Sequence, residues 1–348
     1  MYGRARRLLA LRMVVGAVLA LVSCDLPEPV ILFGRDYLAK QTFYHKGGMP
    51  VVHLEEIPAR SEEAGRRVAV FDQQNMHVVT YPEGELVRTA RLGWPRPVYE
   101  PFLWPADSGE GFWILSSGVY SGTGLLDDRG NKVWEFGGGR DMEAADLDGD
   151  GRTEFYVASL SGLYCVAPDR SRLWRAEGSY WSLAVVPESP SGPVVAALGS
   201  DGRTVTVFSS AGQPRWRFQF STGPELESCA WPSQSILLAA RGRSIHVLDL
   251  HGDLLRRIRL TWRIGGLNGF AAIPVRFAAD EPRDLAMLGH AGWSSNRSVL
   301  CVVNEAGTVL YEETLESTTG MCVIAEDERQ ALLVGDGTGR VNKYTLKP

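Results

Sequence analysis

An all-β fold of repeated four-stranded sheets is what this sequence predicts, on three observations. A turn motif recurs every 40–55 residues, a second hairpin signal recurs between its copies, and no long helical periodicity follows residue 24. With 348 residues, 45% of them apolar and 22% charged, the chain can bury a substantial core. Its 38 glycines and 19 prolines favour many turns and hence many short strands.

The turn motif is a small or turn residue, two spacers, Gly, three spacers and a large residue. It reads Asp127-x-x-Gly130-x-x-x-Trp134, Ser209-x-x-Gly212-x-x-x-Trp216, Asp249-x-x-Gly252-x-x-x-Arg256 and Asn304-x-x-Gly307-x-x-x-Tyr311. A weaker copy runs from Tyr81 through Gly84 to Arg88, and in another Arg170 replaces the glycine ahead of Trp174. Successive large residues are 46, 40, 42, 40 and 55 residues apart, the period of a four-stranded propeller blade. Each copy lies between β-rich runs such as Val205–Phe208 and Arg215–Phe220, which makes it a hairpin.

The second signal is an apolar run ending in a hydrophobic-Pro pair, a polar turn and another apolar run. The pairs are Ile57-Pro58, Trp104-Pro105, Val186-Pro187, Trp231-Pro232 and Ile273-Pro274; Ala145-Asp146 and Ile324-Ala325 keep the pattern without proline. Seven first hairpins against six clear second ones leave the run Val341–Leu346 without a fourth strand. The segment around Tyr37–Tyr44 is expected to supply it, closing a single seven-bladed β-propeller and hiding its edges.

The expected organisation is a signal peptide over 1–23, a lipidated Cys24 with a tether to 36, and the propeller over 37–348. Arg4, Arg6, Arg7 and Arg12 precede a ten-residue apolar run from Met13 to Val22, too short to span a membrane but right for a secretory signal. That run ends in Leu21-Val22-Ser23-Cys24, which resembles a bacterial lipobox. The resemblance implies cleavage before Cys24, diacylation of its thiol and an extracytoplasmic, membrane-anchored body. Each buried methylene of such an anchor contributes about 0.8 kcal/mol. Beyond the first twelve residues, 32 basic residues face 41 acidic ones. An acidic body lacks the basic face a general nucleic-acid binder needs, so no nucleic-acid partner is expected. Cys165, Cys229, Cys301 and Cys322 sit in apolar runs with no Cys-x-x-Cys pair, and read as buried thiols.

The third and fourth strands with their turn resemble PQQ-like propeller repeats. Quinoprotein dehydrogenases of that kind use adjacent cysteines, which are missing here, so no PQQ is expected. The first hairpin of the third blade, Asp146-Leu-Asp148-Gly-Asp150-Gly-Arg152-Thr-Glu154, resembles the calcium loop of FG-GAP (VCBS) repeats. Carboxylates at alternate positions can turn inward together, and calcium takes six to eight hard oxygens. Asp146, Asp148, Asp150 and Glu154 would supply side-chain oxygens and Arg152 its carbonyl, around a structural calcium ion. An EF-hand would need Glu at the twelfth position, which is Val157, and the flanks are strand-like. Together the repeats cover roughly residues 30–348. The combination of lipid anchor and PQQ-like propeller also resembles the outer-membrane-assembly lipoproteins, whose propellers normally have eight blades.

The six histidines are scattered, and no nucleophile elbow, phosphate loop or dinucleotide fingerprint is present. The sequence therefore reads as a non-enzymatic binding or scaffold protein; the alternative is a propeller enzyme acting on carbohydrate or another cell-envelope substrate. Candidate partner contacts, to a protein or a glycan, fall in the blade connections and second-to-third-strand turns. They are Trp94, Arg96, Tyr99, Arg140, Tyr180, Trp181, Trp262, Arg263, Asn268, His290 and Trp293, the residue types that anchor binding hot spots.

Overall fold

The structure is a computed structural model. It describes residues 31–348 apart from 46, 48, 58–64, 73, 94–99, 106–111, 118–122, 187–191, 221–224, 231–234, 265–269, 280–281, 291–296 and 317–319. The side chains of strand residues 32–33, 100–102, 104–105, 112–113, 116–117, 225–230, 235, 241–242, 261–264 and 290 are also outside the description.

Two strands, β1 (Ile31–Phe33) and β2 (Leu38–His45), precede the blades. The first blade is β3 (His53–Ile57), β4 (Arg67–Phe71), β5 (Asn75–Thr80) and β6 (Leu86–Arg91). The second is β7 (Glu100–Pro105), β8 (Phe112–Ser117), β9 (Thr123–Leu126) and β10 (Lys132–Phe136). The third is β11 (Gly139–Ala145), β12 (Glu154–Ser159), β13 (Gly162–Val166) and β14 (Arg172–Ala176). The fourth is β15 (Tyr180–Val186), β16 (Val194–Gly199), β17 (Thr204–Ser209) and β18 (Pro214–Gln219). In the fifth, β19 (Glu225–Ala230) pairs with the first half of the long β20 (Ser235–Leu248), whose second half pairs with β21 (Leu254–Ile264). The sixth is β22 (Phe270–Val275), β23 (Asp284–His290), β24 (Arg297–Val303) and β25 (Val309–Glu316). The last is β26 (Met321–Glu326), β27 (Arg329–Gly335) and β28 (Arg340–Leu346).

Every pairing is antiparallel, and the seven sheets make seven blades, as the repeat count requires. The ring closes where the sequence places the closure: β2 lies outermost on the last blade, from Leu38 opposite Leu346 to His45 opposite Arg340. Residues 31–33, inside the segment read as tether, add a fifth strand to the sixth blade by pairing β1 with β25.

Both faces of each blade are buried against a neighbour, so a strand's alternate residues serve alternate junctions. Val68 and Val70 of β4 pack toward the last blade, while Ala69 and Phe71 pack toward the second. The result is seven apolar clusters, one per blade junction. This explains why middle strands such as Val194–Leu198 read as continuous apolar runs rather than alternating ones.

The recurring Gly and Trp are partners across junctions, not within a blade. The Trp174 indole donates to the Ser210 carbonyl of the next blade at 2.7 Å, and the Trp216 indole to Leu250 O at 2.5 Å. Arg88 repeats the reach to Asp128 O at 3.1 Å, and Arg256 reaches Glu305 O. In each case the acceptor lies two residues before the turn glycine. Gly212 has φ +75°, and a Cβ there would stand 2.7 Å from the Trp174 ring. Glycine therefore serves twice, for the left-handed backbone and for the close approach of the indole. Where Arg170 replaces it, that residue adopts φ 73°. At the closing blade, which has no third-to-fourth turn, Gly34 comes against the Leu310 carbonyl instead.

Candidate functional site: the acidic hairpin and the connection face

Residues 146–153 join β11 to β12, with Ala145 opposite Glu154 at the base of the hairpin. Leu147 is buried with Ala145 and Tyr156 in the junction to the fourth blade, which pins the loop at its root. Asp146 Oδ1 accepts the Gly149 N–H at 2.7 Å and its Oδ2 the Gly151 N–H at 2.9 Å. Asp148 Oδ1 accepts from Asp150 N at 3.1 Å, and Asp150 Oδ1 from Arg152 N at 2.8 Å. Gly151, at φ +83°, permits the bend.

Glu154 is buried; its Oε2 accepts from Leu147 N at 3.2 Å and the Tyr156 hydroxyl at 3.3 Å. Burial pushes its carboxyl above the usual range, with Asp148 and Asp146 adding to the rise against those two hydrogen bonds. One oxygen from each of Asp146, Asp148, Asp150 and Glu154 lies within 4.8 Å of the others. Oxygens about 2.3–2.6 Å from one calcium ion are at most about 5 Å apart, so this donor set fits the ion. Arg152 is exposed at the loop's end, where its carbonyl would complete the set.

At the opposite face, the innermost strands stand side by side around the axis. Arg140 on β11 and Trp181 on β15 meet there, the guanidinium 4.9 Å from the ring centroid, and the indole donates to Ser200 O at 3.0 Å. Tyr180 is not part of that surface: its ring is buried edge-on to Phe208 and its hydroxyl donates to Glu177 O at 3.0 Å. Arg263 and His290 lie on β21 and β23 with side chains outside the described set. Trp94, Arg96, Tyr99, Asn268, Trp293 and Cys24 lie outside the described residues altogether.

Two networks were not foreseen from the sequence. Glu55 Oε2 accepts the Leu103 N–H of the next blade at 2.5 Å, and Glu143 Oε2 the Val185 N–H at 2.8 Å. Both glutamates stand two residues before the last apolar residue of their innermost strand, and that shared position is the signal that could have found them. Asp141 repeats the bond one step up the strand, to Leu183 N at 2.8 Å. The second network, Thr89–His77–Asp72, has the order of an acyl-transfer triad, with 2.9 Å and 3.1 Å contacts. The closing blade carries Thr42, Asn342 and Asp336 at the equivalent places, with Asn342 in contact with both. A triad that keeps its geometry with Asn for His ties three adjacent strand segments together.

The described cysteines Cys165, Cys301 and Cys322 are buried free thiols; burial pushes Cys165 up to about 12 and the other two higher.

No family model matches the chain, and no curated protein does. Among solved structures, BBS1N in complex with ARL6DN, soaked with lead, superposes with a TM-score of 0.63 at 12% identity, covering 92% of this chain and 98% of that one. The mercury-soaked form of that complex gives 0.61 at the same identity and coverage. The likeness establishes the seven-bladed fold.

Proposed function

We propose that the chain is a membrane-tethered, extracytoplasmic binding or scaffold protein without enzymatic activity, braced in its third blade by one calcium ion. The observation that carries the binding reading is the Arg140–Trp181 pair, exposed in part at the connection face on two adjacent innermost strands. A cation stacked on an indole on rigid strands is a preorganised anchor of the kind that dominates interfaces. The tether reading rests on Leu21-Val22-Ser23-Cys24 and the resemblance to a lipobox. The calcium reading rests on the four convergent carboxylates and the FG-GAP resemblance of their loop. The non-enzymatic reading is supported by the duties of Glu55, Asp141, Glu143 and the His77 network, which bind backbone and neighbouring strands. BBS1N meets a protein, ARL6DN, and a protein partner suits the same use of a propeller here.

The test is affinity capture of the tethered full chain from membranes of its own cells, wild type against Arg140→Glu/Trp181→Ala. Partner proteins recovered with wild type should be lost with the double variant at equal protein levels and equal melting temperature. Recovery of the same partners by both would refute the placement of the binding surface.

A further inference from the structure

Charge is unevenly divided among the blade edges. The outermost strands β14, β18 and β21 read Arg-Leu-Trp-Arg-Ala, Pro-Arg-Trp-Arg-Phe-Gln and Leu-Leu-Arg-Arg-Ile-Arg-Leu-Thr-Trp-Arg-Ile. They carry eight arginines and no carboxylate, in a chain where 41 acidic residues outnumber 36 basic ones. Arg175, Arg217 and Arg257 hold one register position, opposite Tyr164, Thr206 and His246 of the third strands. All three are exposed, as is Arg259. Among the described residues none of the four is ion-paired; Arg175 donates to Ser161 O at 2.6 Å and Arg257 to Ser244 Oγ at 3.1 Å. The nearby turn carboxylate of Asp201 is engaged by Arg203 N and Thr204.

The amino-terminal strand enters beside this sector. β1 runs antiparallel to β25, the outer strand of the sixth blade, so its start at Ile31 points toward the Glu316 end, where the blade connections lie. The glutamates of that edge are neutralised or covered. Glu313 receives Lys40, Tyr311 and Tyr344, Glu316 is paired with Arg297, and Glu312 is buried. With Cys24 acylated, residues 25–30 separate the lipid from Ile31, and six extended residues span about 20 Å. The bilayer would then lie within that distance of the sixth blade's edge, next to the arginine-bearing fifth.

We propose that the circumference of the third to fifth blades rests against the phosphodiester headgroups of an anionic bilayer, through Arg175, Arg217, Arg257 and Arg259. The propeller then stands edge-on, with both faces open. Its geometry rests on the acylation of Cys24 proposed above. The arginines are spread over three blade edges on the outside of a ring, which suits a broad plane of charge rather than one bound peptide. Guanidinium forks match phosphate oxygens, and a basic patch beside a lipid anchor adds electrostatic attraction to an anionic surface.

The experiment uses the mature chain from position 24 with Cys24→Ser, so that neither lipid nor signal peptide contributes, sedimented with phosphatidylcholine vesicles with and without phosphatidylglycerol. The Cys24→Ser chain should bind the anionic vesicles only and be released by salt. Adding Arg217→Glu/Arg257→Glu/Arg259→Glu should weaken binding by about a hundredfold or more. Arg91→Glu/Arg129→Glu/Arg329→Glu, the same charge change on exposed residues of the first, second and last blades, should leave it intact. If the first triple variant fails to fold, Arg217→Gln/Arg257→Gln/Arg259→Gln replaces it, with a smaller loss in the same direction.

Equal binding by the two glutamate variants overturns the proposal. So does binding to polyglutamate without binding to anionic vesicles, which would assign the surface to an acidic polypeptide. So does self-association of the first variant with vesicle binding unchanged, which would make the arginines guards of exposed strand edges. Palmitate labelling of Cys24 is scored separately. Vesicle binding without labelling leaves the headgroup contact and removes the anchor, and the converse removes the contact alone.

Discussion

Asp148 and Asp150 project from the third-blade hairpin into solvent, while Glu154 is buried at its base. A calcium ion held by this set binds only the folded chain, which stabilises it by about 2.7 kcal/mol at one hundred times Kd. Millimolar calcium should therefore raise the wild-type melting temperature by a few degrees. Magnesium should do much less, because it demands a tighter octahedron. Asp148→Ala/Asp150→Ala should melt at one temperature with or without calcium; equal responses from the two proteins would make the loop a solvated turn. A second residue-scale device is Glu326, which receives Lys343 within the last blade and Tyr81 from the first. Burial works to raise its carboxyl, but the bonds from Lys343 and Tyr81 and the nearby charges of Lys343 and Arg66 outweigh it, so the net shift is downward. A lowered acid stabilises the fold above its ordinary value near 4.5, and that contribution fades as pH falls through the folded value. Denaturation of wild type and Glu326→Gln across the acid range should converge at the lowest pH. Wild type should lead at neutral pH by under about 1 kcal/mol, since the pair is part-exposed. The hairpin was legible because its carboxylates lie within nine residues of one another. Glu55 and Glu143 were not, because their partners are backbone N–H groups of another blade, 48 and 42 residues on. Tyr180 was read as surface from its place at a turn; only the position of Phe208 shows the pocket that takes its ring.

Among the elements, the third-to-fourth-strand turns bear the most readable constraint. Gly212 and Gly202 both have positive φ, at +75° and +64°, but an added Cβ meets Trp174 at 2.7 Å in the first and nothing within 4 Å in the second. Gly202→Ala should cost about 1–2 kcal/mol, the price of a left-handed alanine. Gly212→Ala should cost about 1–3 kcal/mol more, because the indole must give way and its bond to Ser210 O stretches. Midpoints of chemical denaturation measure both; equal losses would mean that Trp174 does not hold the junction. The turn signals and their spacing located the blades, and the seven first hairpins fixed their number. What the spacing hides is that the indole reaches forward into the next blade, since a linear repeat does not say which copy a residue touches. Proline was a looser guide: Pro274 lies inside β22, opposite Leu285, rather than after it. β1 carried no signal beyond three apolar residues, because a short added strand needs only an open edge.

At the scale of the whole molecule, residues 38–45 and 340–346 share a sheet although 295 to 308 positions separate the paired residues. The closure is fastened by polar bonds as well as by the ladder: Lys40 and Tyr344 meet on Glu313, and Tyr37 donates to Asp284 at 2.5 Å. Lys40→Ala should lower the melting temperature by a few degrees, because it leaves the buried Glu313 carboxylate short of its counter-charge. Lys40→Ala/Glu313→Gln should recover part of that loss in the same scan. Palmitate labelling should depend on Cys24, and Cys24→Ser should leave a membrane association that salt releases, where the wild type resists it. Equal labelling of the serine variant would remove the lipobox reading. Joining the ends in one blade also dictates an order of events in biogenesis. A chain made amino-end first delivers its closing strand before any blade exists, and that strand has no partner until β28 arrives. Until then β2 is an unpaired strand open to other chains, so the interval before β28 arrives is when the protein most needs an escort.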